Sequence, residues 1–138
     1  MEQRVDKEKV KADALRVYLV EDSGHILENL IGMFNAIDGV LTVGCATGAQ
    51  EAIRGIRAAD PQVVVLDIRL AHGSGLDVLR AIHASDPQID IYMLSNFASE
   101  PYRRLAAKLG ARGFFDKSTE FEQMLQMIAA RAHESRNN

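Results

Sequence analysis

Five side chains able to handle a charged ligand stand at the ends of apolar segments. Glu21 and Asp22 follow Leu15-Arg16-Val17-Tyr18-Leu19-Val20, and Asp67 follows Val63-Val64-Val65-Leu66. Ser95 follows Ile89-Asp90-Ile91-Tyr92-Met93-Leu94, and Lys117 follows the short run from Arg112 to Asp116. One strand-end Asp alone reads as a turn or helix cap. Polar groups repeated at the ends of apolar strands have no such structural use. They predict one site, because strand C-termini share an edge in a parallel sheet and ligands bind there. Three carboxylates against one ammonium leave an excess of negative charge. Two like charges about 4 Å apart repel by about 4 kcal/mol at an effective dielectric near 20. Either a carboxyl group takes a proton or a divalent cation enters. All-oxygen donors suit Mg2+ or Mn2+, and His25, His72, His83 and His133 are too scattered for a zinc set. A cation would let Asp67 approach a phosphoryl group as a nucleophile and form an acyl phosphate. Lys117 and Ser95 would then bind the phosphoryl oxygens.

The elements that must position these groups follow from hydrophobic period and punctuation. Residues 15–20, 40–46, 63–66, 89–94 and 112–116 read as strands. The Val63–Leu66 run, apolar on both faces, is a mid-sheet strand. Helical spacing of Ile26, Leu27, Leu30, Ile31, Phe34 and Ile37 predicts a helix over about 24 to 37, capped by Asp22 or Ser23 and stopped at Asp38-Gly39. Further helices are expected over about 49–59, 75–84, 99–109 and 119–132, with Asp60-Pro61, Asp86-Pro87 and Gly110 as stops. Met124 shares a face with Phe121, Leu125 and Ile128 and is expected in the core. Five strands alternating with five helices call for an α/β fold with a doubly wound parallel sheet and helices on both faces. Residues 1–13 are a charged extension, 14–132 the folded domain, and 133–138 a polar tail.

Composition bounds the class. The chain has 138 residues, enough for one domain with its own core, and a formal charge of −3, which argues against broad nucleic-acid binding. No apolar run is long enough to span a membrane, and no signal peptide opens the chain. The single cysteine, Cys45, fits a reducing, cytoplasmic setting and is expected to be a small core residue.

Together Val20-Glu21-Asp22, Leu66-Asp67 with Gly75 eight residues on, Leu94-Ser95 and Gly113-Phe114-Phe115-Asp116-Lys117-Ser118 resemble the receiver domain of two-component response regulators, over residues 15–132. The resemblance implies a flavodoxin-like sheet of order 2-1-3-4-5. It implies that Asp67 accepts phosphate from a histidine kinase or a histidine phosphotransfer protein, with Mg2+ (or Mn2+) held by Asp22 directly, by Glu21 through water, by Asp67, and by the Arg69 backbone carbonyl. Lys117 would bond the phosphate, and Ser95 with Phe114 would form a switch pair. The readout surface would comprise the fourth helix, fifth strand and fifth helix, including Tyr102, Arg103 and Lys108. Such a domain is a signalling module with intrinsic Mg-dependent autophosphorylation and dephosphorylation, not an enzyme with a separate substrate. It would stand alone or form half of a DNA-binding regulator, and a homodimer is compatible with it.

Several positions depart from the family pattern. Ala71 replaces a frequent proline four residues past Asp67, which predicts a looser loop. Ser118 replaces the proline that follows the lysine, where a cis peptide is expected. Without proline that geometry costs about 2.5–4 kcal/mol rather than about 0.5–1. Arg69 and Phe97 flank the pocket, where they can shield an acyl phosphate, and Asn96 is bulky enough to narrow access. Competing readings are weaker. A haloacid-dehalogenase-like phosphatase wants an Asp where Arg69 stands, and no glycine-rich phosphate loop follows any strand. A pseudo-receiver, keeping the fold for protein contacts alone, would not need all five site residues.

Overall fold

The structure, a computed structural model, describes residues 13–137. The extension read over residues 1–13 therefore lies outside the described residues, except for Asp13. Five strands and five helices alternate: β1 (Leu15–Val20), α1 (Gly24–Asn35), β2 (Val40–Ala46), α2 (Ala49–Ala59), β3 (Val63–Leu66), α3 (Gly75–Ser85), β4 (Asp90–Ser95), α4 (Glu100–Lys108), β5 (Gly113–Asp116) and α5 (Phe121–Asn137). The strands form one sheet in the order β2-β1-β3-β4-β5, every pair parallel. Val63–Leu66 is wholly buried between β1 and β4, as its unbroken apolar run requires.

Each face of the sheet carries its own core. On one, Tyr18, Val20, Val64, Leu66, Ile91 and Met93 meet Ala52 and Ile56 of α2, Val78, Leu79 and Ile82 of α3, and Ala106 of α4. On the other, Leu15, Val17, Leu19, Val63, Val65 and Leu94 meet Leu27, Leu30 and Phe34 of α1 and Met124, Ile128 and Ala132 of α5. Met124 is fully buried, as its helical period predicts.

The punctuation residues work by identifiable geometry. Ser23, not Asp22, caps α1: its Oγ accepts the Ile26 N–H at 3.3 Å, which leaves the Asp22 carboxylate available elsewhere. Asp60, unable to stay helical before Pro61, ends α2 at φ 48° in the left-handed region. α5 continues to Asn137, through residues expected as a polar tail. His133, Glu134, Ser135 and Arg136 include no Gly or Pro to stop it.

Cys45 corrects one expectation, since it is exposed rather than in the core. β2 is an edge strand, paired with β1 alone, and its buried positions are Val40 and Ala46 at its two ends. The register slips between Val17 and Tyr18 to skip Val43, a bulge typical of sheet edges. Beside it the Tyr18 side chain occupies space left by Gly44 and Gly55, where a Cβ would lie 2.5 Å from a ring carbon and 2.0 Å from the hydroxyl oxygen. Burial, the neighbouring Cys45 and Glu51 push the Tyr18 hydroxyl up to about 12, and it donates to the Cys45 carbonyl at 3.2 Å.

Candidate phosphoryl and cation site

Backbone hydrogen bonds carry the sheet one residue past the strands and thereby fix the site. The Glu21 N–H donates to Ala46 O at 3.1 Å, Asp67 N–H to Val20 O at 3.1 Å, and Lys117 N–H to Ser95 O at 3.0 Å. Side chains leaving these positions meet at the carboxyl edge of the sheet. Lys117 Nζ donates to Glu21 Oε2 and to Asp67 Oδ2, each at 2.7 Å, and Asp67 Oδ1 accepts the Ile68 N–H, also at 2.7 Å. Glu21 and Asp67 are 2% and 6% exposed, whereas Asp22 faces solvent. One carboxylate oxygen from each of Glu21, Asp22 and Asp67 lies within 4.8 Å of the others.

Electrostatics follow from that crowding. Burial pushes the Glu21 carboxyl up, and the hydrogen bond and charge of Lys117 only partly oppose it, while Asp22 and Asp67 add to the rise. The net result is a pKa of about 7. Burial lowers the Lys117 ammonium, but hydrogen bonds and charges from Asp67 and Glu21 outweigh it, so Lys117 stays protonated with its pKa raised. The site thus holds more carboxylate than one lysine neutralises, and its donors are all oxygen. That donor set fits a hard divalent cation.

The loop beyond Asp67 is held closely. Gly75 starts α3 where a Cβ would sit 1.8 Å from the Asp67 carbonyl oxygen, and its N–H donates to Ile68 O at 2.6 Å. Ser74 Oγ caps α3 by accepting the Leu76 N–H at 3.1 Å. Ile68 and Leu70 are buried, and Arg69 bridges to Ser74. The expectation of a looser loop at Ala71 is therefore corrected: its N–H, which proline would lack, donates to Thr47 O at 2.9 Å. Ser118 shows the same logic. Its N–H donates to Asp116 Oδ1 at 2.8 Å and its Oγ to Asn96 Oδ1 at 3.1 Å. The Lys117–Ser118 peptide is trans, not the cis form expected there.

Ser95 is fully buried, and its Oγ accepts the Phe97 N–H at 3.1 Å. Arg69, Phe97 and Tyr102 line one cavity together with Ile68 and Ser74. The Arg69 guanidinium lies 5.1 Å from the Phe97 ring centre, and Phe97 meets Tyr102 edge-on at 6.0 Å. Phe114, on β5, is half-buried against the α2–α3–α4 core. Arg103, which the resemblance includes in the readout surface, is half-buried: it packs over Phe114 and hydrogen-bonds Glu120. No local spacing signals this pairing, because its members lie on three separate elements. Lys108 and Tyr102 are exposed.

Residues 17–129 match the model of the response regulator receiver domain. The chain belongs to the response regulator receiver domain family. Similar curated proteins include the response regulator GacA of Pseudomonas viridiflava, 27% identical over 83% of this chain and 53% of the relative. The response regulator protein TodT of Pseudomonas putida is 31% identical over 83% of this chain and 49% of the relative. The receiver thus spans about half the length of these relatives. Among solved structures, a LuxR-family two-component response regulator from Aurantimonas sp. SI85-9A1 superposes with a TM-score of 0.80 at 26% identity, covering 88% of this chain and 86% of the other. The fold and the 2-1-3-4-5 sheet are those of CheY-like receivers. Receivers serve signalling in two-component systems and bind Mg2+ at an acidic pocket, and this receiver carries such an acidic group. Among the described residues no helix is long and apolar enough to cross a membrane.

Proposed function

We propose that this receiver, folded over residues 14–132 and working in the cytoplasm, accepts a phosphoryl group on Asp67 from a phosphohistidine of a histidine kinase or histidine phosphotransfer protein. The observation that carries the reading is Lys117 Nζ bound at 2.7 Å to both Glu21 and Asp67, with Asp22 completing an acidic cluster. Asp67 Oδ bonds to phosphorus as the donor P–N bond breaks, and the bonding pair leaves on the imidazole nitrogen. Lys117 then moves its hydrogen bonds to the phosphoryl oxygens, where developing charge strengthens them. Glu21, Asp22, Asp67 and the Arg69 carbonyl would hold Mg2+ or Mn2+, which supplies positive charge to the phosphoryl oxygens when bound.

Ser95 and Phe114 form the switch. Phosphorylation adds roughly −1.5 to −2 charge and three strong acceptors. The Ser95 hydroxyl turns from the Phe97 N–H to donate to one of them, and the Phe114 ring turns inward. The changed face is α4–β5–α5, which meets a downstream target. A second reading, the receiver half of a DNA-binding regulator, is favoured by curated relatives about twice as long as the matched region. The acceptor assignment is tested on phosphate-affinity gels with acetyl phosphate and Mg2+. The parent chain shifts, and Asp67→Asn does not; equal shifts in both would refute it.

Cation binding carries its own pH signature. The folded Glu21 carboxyl titrates at about 7 against an ordinary value of 4.5, so metal-free folding takes up a proton between them. The resulting stability is complete below the ordinary value and is lost as pH rises through about 7. Mg2+ substitutes for that proton, so it should raise Tm more near pH 8 than near pH 5.5. Thermal unfolding of parent and Glu21→Gln checks this: the variant should show a flatter pH profile and a smaller Mg2+ effect. Identical profiles would count against the cation site.

A further inference from the structure

One guanidinium joins every part of the switch face. Arg103 Nε donates to Ala98 O at 2.8 Å, Nη1 to Phe114 O at 3.1 Å, and Nη2 to Glu120 Oε1 at 2.6 Å. Its central carbon lies 5.1 Å from the Phe114 ring centre, within cation–π range. Glu120 in turn starts α5. Its Oε1 accepts the Asp116 N–H at 2.8 Å, its own N–H donates to Asp116 O at 2.8 Å, and its carbonyl accepts the Met124 N–H at 3.1 Å. Arg103 pulls the Glu120 carboxyl below its ordinary range, helped by the Asp116 N–H.

We propose that Arg103 is a positioning residue that couples the Ser95 hydroxyl to Phe114 and to the start of α5, and that it holds the switch in its resting arrangement. The inference rests on the acceptor reading above and names how that site is regulated. Ser95 Oγ is bonded to Phe97 N–H, and the next residue, Ala98, is bonded to Arg103. When the hydroxyl turns to a phosphoryl oxygen it releases the Phe97 N–H, and the 96–98 segment is free to move. Because Ala98 O holds Arg103 Nε, that movement draws the guanidinium from the Phe114 ring. The ring can then turn inward, and Glu120 loses its partner at the head of α5.

An exposed ion pair alone would contribute little. Here both side chains are only 30% exposed, and one planar group makes three directed hydrogen bonds and a ring contact at once. Lysine, with a point charge and no fork, cannot reproduce that set. Every one of these contacts stabilises the arrangement in which Ser95 is bonded to Phe97. Removing them lowers the cost of leaving it.

The test uses the full chain with beryllofluoride and Mg2+, read by amide and aromatic NMR. In the parent, resonances of Ser95, Phe97, Ala98, Phe114 and Glu120 through Met124 move together. In Arg103→Met, Phe114 signals without ligand lie part-way toward their bound positions, and apparent beryllofluoride affinity rises about fivefold. Arg103→Lys resembles Arg103→Met rather than the parent. Should Arg103→Met fail to fold, Glu120→Gln gives the same quantities with smaller displacements in the same direction. A folded variant keeping the parent's ligand-free Phe114 positions and affinity would overturn the coupling. A parent that shows no beryllofluoride response at Ser95 would instead overturn the acceptor reading, and this inference with it.

Discussion

Lys117→Met is expected to destabilise the metal-free protein and to slow phosphoryl acceptance, each by a large factor. Lys117 is the ammonium that bonds Glu21 and Asp67, and both partners are buried. Methionine keeps the length of the side chain but leaves two carboxylates without a counter-charge. Removing one partner of a buried ion pair costs about 3–5 kcal/mol. Protonation of Glu21 limits that loss, since its carboxyl already titrates at about 7 with lysine present. Urea unfolding should therefore show a loss near 3 kcal/mol at about pH 8 and a smaller one near pH 5.5. Loss of one donor to the phosphoryl oxygens should slow labelling by acetyl phosphate about hundredfold. Equal loss of stability at both pH values would contradict the charge argument, and unaltered labelling would contradict the role of Lys117 in transfer.

Gly75→Val is the second large effect, and its origin is steric. The first side-chain carbon would lie 1.8 Å from the Asp67 carbonyl oxygen and 2.8 Å from the carbonyl carbon. Those are backbone atoms at the end of the central strand, fixed by the Asp67 N–H bond to Val20 O and by the Gly75 N–H bond to Ile68 O. Neither can yield without moving the acceptor. Overpacking costs about 1–3 kcal/mol where flexible side chains adapt, and more where they cannot. The expected loss is about 4 kcal/mol or more, with phosphoryl acceptance abolished even at temperatures where the variant stays folded. Differential scanning calorimetry and labelling of the same sample measure both. A Tm within a few degrees of the parent would show that the loop gives way more easily than its contacts imply.

The parts of this molecule that were legible in sequence are those set by period and by strand ends. The Val63–Leu66 run reads as a central strand because its four apolar residues are mostly β-branched and follow Asp60-Pro61, and it lies between β1 and β4. Glu21, Asp22, Asp67 and Lys117 were traceable to one edge because parallel strands share a direction, and their atoms do converge. What escaped was set by partners distant in sequence. Cys45 reads as apolar, but its exposure depends on β2 being an edge strand. Ala71 and Ser118 read as missing prolines, yet each uses the N–H that proline lacks, toward Thr47 O and the Asp116 carboxylate. Arg103 reads as one more surface charge on α4. Its contacts with Ala98, Phe114 and Glu120 exist only once α4, β5 and the start of α5 are assembled.

The most direct measurement is chemical trapping of the acyl phosphate. The full chain is incubated with acetyl phosphate, with and without Mg2+, then reduced with borohydride, which converts a phosphorylated aspartate to homoserine. Peptide mass mapping should place homoserine at position 67, only in the sample containing Mg2+, and at no position in Asp67→Asn. Homoserine at another aspartate, or an unmodified Asp67 at saturating donor and Mg2+, would contradict the claim that this acid cluster makes Asp67 a phosphoryl acceptor.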